Sequence, residues 1–255
     1  MAVVVVSGSA SGIGAAVRAR LERAGVQVLG VDLRDAEVVA DLATAPGRAA
    51  AVAATTAACG GRLDGLVACA GVGPQFEPRQ AIVALDYFGA EALLAGLRPA
   101  LAAAARPAAV AVSSNSATLA GAETPLVAAC LAGDEAEARR LAADLPGAQV
   151  YAGAKLALAR WVRRHAPAAD WIGAGVRLNA VAPGAVRTPL LEAGLEHPVY
   201  GPAIRGFPIP AGGFGTPDQV AAAIAFLLDP DAAFCCGSVL FVDGGTDALV
   251  RGDVF

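Results

Sequence analysis

Short apolar runs rich in valine, set apart by longer amphipathic stretches, restrict the fold of this chain more than any other feature. Ala2–Val6, Val26–Val31, Leu63–Ala68, Ala108–Val112, Gly175–Val181 and Ser238–Val242 read as strands. Between them, Ile13–Ala24, Gly47–Cys59, Ala81–Ala103, Tyr151–Ala166 and Pro217–Leu228 carry helical periodicity. A strand that is apolar at nearly every position is buried on both faces, and alternation with helices covers a parallel sheet in that way. The order predicts an α/β fold: one Rossmann-like, doubly wound parallel sheet with helices on both faces, over residues 1–255 as a single domain. No composition break suggests a second domain, and 255 residues suffice for one full core.

Three regions depart from the rhythm. The link from Asp32 to Asp41 is too short for an ordinary crossover helix, so a brief strand at Val38–Ala40 must be reached by an abbreviated turn. The segment 116–149 is long and contains its own helical pattern, Asp134–Asp144, with acids first and Arg139 and Arg140 after them. A stretch of that length with internal structure reads as a functional insertion. The stretch 189–213, rich in Gly and Pro, carries Leu190, Leu191, Leu195, Phe207 and Ile209. So many large apolar residues suit a flexible lid over a substrate better than a plain surface loop.

Composition needs comment because apolar residues reach 56% and charged residues only 16%. Much of the apolar share is alanine, and no run of about 18 consecutive apolar residues occurs. The opening Met1-Ala-Val-Val-Val-Val-Ser-Gly is expected to be a buried strand instead of a leader, since the first positive charge is Arg18. A net charge of −4 gives no electrostatic footprint for nucleic acid or an anionic membrane. Cys59, Cys69, Cys130, Cys235 and Cys236 lack C-x-x-C spacing and suit buried thiols in a reducing compartment. His165 and His197 stand apart from any acid or cysteine cluster, so no metal is expected. The expected setting is cytoplasmic.

Ser7-Gly-Ser-Ala-Ser-Gly-Ile-Gly14 follows the first run and opens the first helix. In that context Gly8 makes the turn, Gly12 lets backbone approach a pyrophosphate, and Gly14 permits close helix–sheet contact. Ser11 and Ile13 lie at the helix start, where free N–H groups and the dipole favour phosphate. Asp32 ends the second strand, with Leu33 next to it. A carboxylate there accepts both hydroxyls of an adenosine ribose and repels a 2′-phosphate, which selects NAD over NADP. Arg34 is the competing signal, since a basic residue nearby would receive that phosphate. Asp41 and Leu42, after the short third strand, either flank an adenine or simply begin a loop.

Tyr151 and Lys155 in Tyr-Ala-Gly-Ala-Lys share one face of a helix. A phenol of ordinary pKa near ~10 is a poor base at neutral pH. A neighbouring ammonium favours the phenolate and makes it a proton-transfer group. The Ser113-Ser114 pair closes the run Ala108–Val112 upstream.

These motifs resemble the short-chain dehydrogenase/reductase family over essentially the whole chain. The resemblance lies in the glycine turn, Asp32, Cys69-Ala70-Gly71, Ser114, Tyr151 with Lys155, Asn179-Ala-Val-Ala-Pro-Gly184 with Thr188, and Val242-Asp-Gly-Gly245. Within the family the chain is most similar to the bacterial 3α-hydroxysteroid dehydrogenase/carbonyl reductases. Val31-Asp-Leu-Arg-Asp-Ala-Glu, Asp64-Gly-Leu-Val, Ala70-Gly-Val-Gly-Pro-Gln, Tyr87-Phe-Gly-Ala and the insertion before Tyr151 carry that likeness. The resemblance implies Tyr151 as base in alcohol oxidation and acid in carbonyl reduction, and Lys155 as the group that lowers its pKa and binds the nicotinamide ribose. It implies that Ser114 holds the substrate oxygen, with Ser113 the alternative, and that Pro183, Gly184, Val186 and Thr188 line the nicotinamide.

Two positions depart from the family pattern. Cys69 stands where the family usually has Asn, at a residue that braces the sheet. Asp86 stands at the asparagine whose main-chain carbonyl holds a relay water. A carboxylate there would pair with Lys155 and weaken its hold on the tyrosine. The implied activity is NAD(H)-dependent interconversion of a hydrophobic secondary alcohol and ketone, with a 3α-hydroxysteroid as leading substrate. An aromatic, coniferyl-type alcohol on the same scaffold, or a non-catalytic NAD-binding protein, are the alternatives. The insertion is expected to cover the long helices through which the family forms tetramers, leaving a homodimer through Pro217–Leu228 and Ser238–Val242.

Overall fold

The computed structural model describes residues 2–254. In chain order, β1 (Val3–Ser7), α1 (Gly12–Arg23), β2 (Gln27–Asp32), β3 (Val38–Val39), α2 (Ala45–Ala58) and β4 (Gly65–Ala68) form the first half. They are followed by α3 (Arg79–Val83), a π-helical stretch (Ala84–Gly89) and α4 (Ala90–Ala102), which run on as one helix, then by β5 (Ala108–Val112). The insertion holds α5 (Pro125–Leu131) and α6 (Glu135–Asp144) before α7 (Gly147–His165) and β6 (Arg177–Pro183). After α8 (Pro189–Glu196) and α9 (Tyr200–Arg205), the chain ends in α10 (Pro217–Leu228), β7 (Val239–Val242) and α11 (Thr246–Val250). The strands make one 7-stranded sheet in the order β3-β2-β1-β4-β5-β6-β7, parallel throughout.

Alternation along each strand splits the core in two. Val5, Leu66, Ala109, Ala111, Leu178 and Ala180 face the side covered by α2, α4 and α7. Val4, Val6, Val67, Val110, Val112 and Val181 face α1 and α10, which pack against each other. The small residues of β5 and β6 meet Ala154 and Ala157 of α7, so the alanine-rich composition is spent on close helix–sheet contact. On the α10 side of the sheet, Arg177 is buried. It donates to the carbonyls of Leu227 (2.9 Å), Leu228 (3.1 Å), Asp229 (3.1 Å) and Ala232 (3.0 Å), satisfying the C-terminal end of α10.

Most predicted elements fall within a few residues of those observed. The exceptions are α5, α8, α9 and α11, which are short and lie in stretches read as loops. The stretch 189–213, whose Gly and Pro content suggests a loop, holds two short helices, α8 and α9. Helix α8 starts from a local signal: Thr188 accepts the N–H of Leu191 (3.2 Å) and Pro189 follows it. The continuous helix Arg79–Ala102 is long and apolar enough to span a membrane by length and composition, and 61% of its apolar window is buried inside the fold.

Candidate active site

Strand order reverses between β1 and β4, and a groove of about 270 Å³ opens across the carboxyl ends of the strands there. The glycine turn forms its floor. Gly8 has φ +68°, and a Cβ on it would come within 2.9 Å of the Ala70 Cα. A Cβ on Gly14 would stand 2.0 Å from the Gly8 carbonyl oxygen, so the start of α1 closes only around glycine. Ser7 ties the turn to the next strand: its Oγ accepts the N–H of Cys69 (3.0 Å) and of Ala70 (3.1 Å).

At one end of the groove, Asp32 accepts the N–H of Ala10 (3.0 Å) and of Leu33 (2.7 Å), joining the second strand to the glycine turn. Asp41 accepts the N–H of Ala43 (2.9 Å), and Leu42 beside it is buried. Arg34 points away: its side chain is 85% exposed and lies 4.0 Å from Asp35. The groove thus presents a carboxylate, not a guanidinium, where a second ribose would lie.

The other end is built from buried polar groups. Lys155, the chain's single lysine, is 5% exposed; every other fixed cation is an arginine. Its Nζ donates to the Val112 carbonyl (3.1 Å), stands 3.6 Å from Asp86 Oδ2 and lies 5.8 Å from the Tyr151 ring centroid. Asp86 is fully buried and accepts the N–H of Val72 (2.8 Å) through Oδ1, while Oδ2 has no hydrogen-bond partner. Burial pushes the Tyr151 phenol above its ordinary pKa; Lys155 pulls it down, Asp86 pushes it up, and a hydrogen bond from Ser114 lowers it. Burial also raises the Asp86 carboxyl, against the pull of Lys155. The Cys69 thiol, driven by burial to about 12, is a neutral group. Ser113 turns inward and donates to the Lys155 carbonyl (2.8 Å), which leaves Ser114 as the serine beside the phenol.

One groove therefore brings together Gly8, Ser11, Gly12, Ile13, Gly14, Asp32, Leu33, Asp41, Leu42, Cys69, Ala70, Gly71, Ser114, Tyr151, Lys155, Pro183, Gly184, Val186 and Thr188. Asp86 is the exception among the predicted site residues. It does not line the groove; it stands 3.6 Å from Lys155 Nζ, and its charge bears on both the ammonium and the phenol. Val72, Leu85, Val112 and Leu190 also line the groove; only Leu190 is expected from the sequence, since Leu85 and Val112 sit in apolar runs and Val72 stands between two glycines. Gln75 donates to the Leu190 carbonyl (3.1 Å), fastening α8 to the loop after β4. The helix N-terminus, the glycine cradle and the ribose carboxylate fit a dinucleotide laid along the groove.

A doubly wound sheet with such a groove, ending at a serine, a tyrosine and a lysine, defines a dinucleotide-dependent oxidoreductase. Residues 145–247 match the family model described as Enoyl-(Acyl carrier protein) reductase. Over the full length of both proteins, the chain is 48% identical to the 3-alpha-hydroxysteroid dehydrogenase/carbonyl reductase of Comamonas testosteroni. The crystal structure of the 3-alpha-hydroxysteroid dehydrogenase from Pseudomonas sp. B-0831 complexed with NADH superimposes with a TM-score of 0.97 at 53% identity, covering 100% of both chains. The aldohexose dehydrogenase of Thermoplasma acidophilum, at 23% identity and a TM-score of 0.76 over 100% of this chain and 96% of that one, shares the fold. The chain belongs to the short-chain dehydrogenase/reductase family.

Proposed function

We propose that this oxidoreductase uses NAD(H) to interconvert a hydrophobic secondary alcohol and its ketone, with 3α-hydroxysteroids and their 3-ketones as the leading substrate class. The observation that carries the reading is the buried lysine beside a tyrosine and Ser114, at the end of a dinucleotide-shaped groove. The relatives from Comamonas testosteroni and Pseudomonas sp. B-0831 supply the substrate class, and the second supplies the reduced cofactor. Asp32, with Arg34 turned to solvent, favours NAD(H) over its 2′-phosphate.

Bound in the groove, the nicotinamide supplies a hydride to the carbonyl carbon or accepts one from the carbinol carbon. Ser114 holds the substrate oxygen. In oxidation Tyr151, as phenolate, takes the hydroxyl proton while hydride leaves the carbon; in reduction the phenol gives that proton back. Lys155 stabilises the phenolate and, through its remaining N–H groups, the nicotinamide ribose. Pro183, Gly184, Val186 and Thr188 line the nicotinamide end. The helices of 189–213 present Leu190 and Leu191 to the groove as an apolar lid. Purified protein assayed with NADH and NADPH against 3-keto steroids, aryl aldehydes and small ketones tests the reading. Preference for aryl substrates would move the assignment to an aromatic alcohol dehydrogenase, and no turnover with any would mark a binding protein.

The assembly favoured here is a homodimer in a reducing, cytoplasmic setting. Helices α5 and α6 pack over α3 and α7, covering part of one helix face. At the opposite edge of the sheet, Phe226, Phe234, Leu240, Leu249 and Val250 are exposed around α10, β7 and α11. An edge strand beside such a surface needs a partner. All five cysteines are free thiols, and the expected burial fails for Cys236, which is exposed. Light scattering is expected to give twice the chain mass, and a stable tetramer would exclude this arrangement.

A further inference from the structure

The insertion reaches the far end of the groove. Glu135, the first residue of α6, forms a two-toothed ion pair with Arg48 of α2, one contact Nη2–Oε2 and the other Nη1–Oε1 at 3.4 Å. The same carboxylate holds Arg139 one turn later, at 3.2 Å. Both guanidinium groups then hydrogen-bond to main chain: Arg48 to the carbonyl of Leu42 and Arg139 to that of Ala43, each at 3.4 Å. Arg48 is nine-tenths buried, so its charge needs the Glu135 carboxylate at short range. The Leu42 carbonyl also lies close over Gly89, where an added Cβ would stand 3.2 Å from its oxygen. The Asp41–Ala43 turn, which lines the adenosine end of the groove, is thus gripped by a carboxylate 87 residues further along the chain than Arg48.

We propose that Glu135 is a positioning residue for the adenosine half of the bound dinucleotide, acting through Arg48 and Arg139 on the Asp41–Ala43 turn. The inserted segment then has a role in cofactor binding separate from any role in assembly. The inference rests on the NAD(H) reading of the groove and deepens it. Glu135 touches neither cofactor nor substrate; it fixes the shape of the surface on which the adenine lies.

Two half-ligands separate this role from a general structural one. ADP-ribose contains the adenosine end without the nicotinamide, and reduced nicotinamide mononucleotide contains the reverse. In Glu135→Gln, the ADP-ribose Kd measured by calorimetry is expected to rise about tenfold, the scale of one charge-assisted hydrogen-bond pair. Ketone reduction driven by reduced nicotinamide mononucleotide should proceed at the wild-type rate. Arg139→Ala, at a half-exposed side chain that the fold tolerates, should give a smaller rise in the same direction and guards against a misfolded Gln variant. Unchanged ADP-ribose binding in both variants overturns the proposal, as does an equal loss with both half-ligands. Failure of the wild-type protein itself to bind ADP-ribose would instead overturn the dinucleotide reading of the groove.

Discussion

The two ends of the groove are made of different materials. At the Asp32–Asp41 end, carboxylates near solvent hold main-chain N–H groups, and the charges that brace the turn are arginines paired with acids. At the Tyr151 end, a lysine and a carboxyl are buried 3.6 Å apart, with a half-buried phenol and a thiol beside them. On the proposed reading, the first end would discriminate by shape and by like-charge repulsion, effects that change a binding constant. The second end would work by moving proton affinities, which in a desolvated cluster depend steeply on each neighbour. Substitutions should therefore divide into those that alter cofactor choice and those that alter the chemical step.

The largest effect is expected from Tyr151→Phe, which keeps the shape and removes the proton donor. The rate should fall by ~10² or more while NADH binding stays nearly unchanged, as single-turnover kinetics and fluorescence titration would record. A variant that keeps most of its rate would erase the contrast between the two ends. Next is Asp32→Ala, where loss of the carboxylate should bring NADH and NADPH affinities together, weakening NADH by about tenfold. If the variant still prefers NADH by the wild-type margin, the carboxylate is not what excludes the 2′-phosphate.

Asp86→Asn is expected to leave NADH affinity alone and to move the rising limb of the oxidation profile, where the phenolate forms, to lower pH. The sign follows from the charge: an anion near the phenol raises its pKa, so removing it makes the phenolate available at a lower pH. Because Lys155 is the single lysine, ε-¹³C-lysine labelling gives one side-chain resonance, and its titration should shift downward in the same variant, since Asp86 raises the ammonium pKa. Coincident profiles for the two proteins would sink the idea that the carboxyl matters beyond its main chain. The smallest effect is assigned to Arg34→Ala, which should leave the NADH/NADPH ratio within about twofold because the guanidinium lies in solvent.

What was legible in the sequence follows the same division. Short valine runs bounded by turn residues announced the strands, and the glycine turn announced the helix that opens the groove. Helices α5, α8, α9 and α11 were missed because each is only a few turns or less, and short helices owe their stability to tertiary contact. The placement of Asp86 against Lys155 followed from the resemblance, not from spacing, and its distance from the groove itself became visible only in the fold. The Glu135–Arg48 pair left no signal at all. Nothing local to α6 says which distant arginine it will meet, and an acid at the start of a helix is ordinary in its own right.

The π-helical stretch Ala84–Gly89 makes length itself a constraint. It carries Asp86 toward Lys155 while the following α4 turns Leu93, Leu94 and Leu97 into the core. A π turn holds about one residue more than an α turn, so dropping one residue from the stretch would restore ordinary winding and keep the flanking faces in register, while re-aiming Asp86. In a scan of single-residue deletions, this short span should therefore keep a folded core and show its loss in the pH profile of the reaction. Deletions at the far end of the same helix, near Ala102, should leave that profile unchanged, because the aim of Asp86 does not depend on the count there.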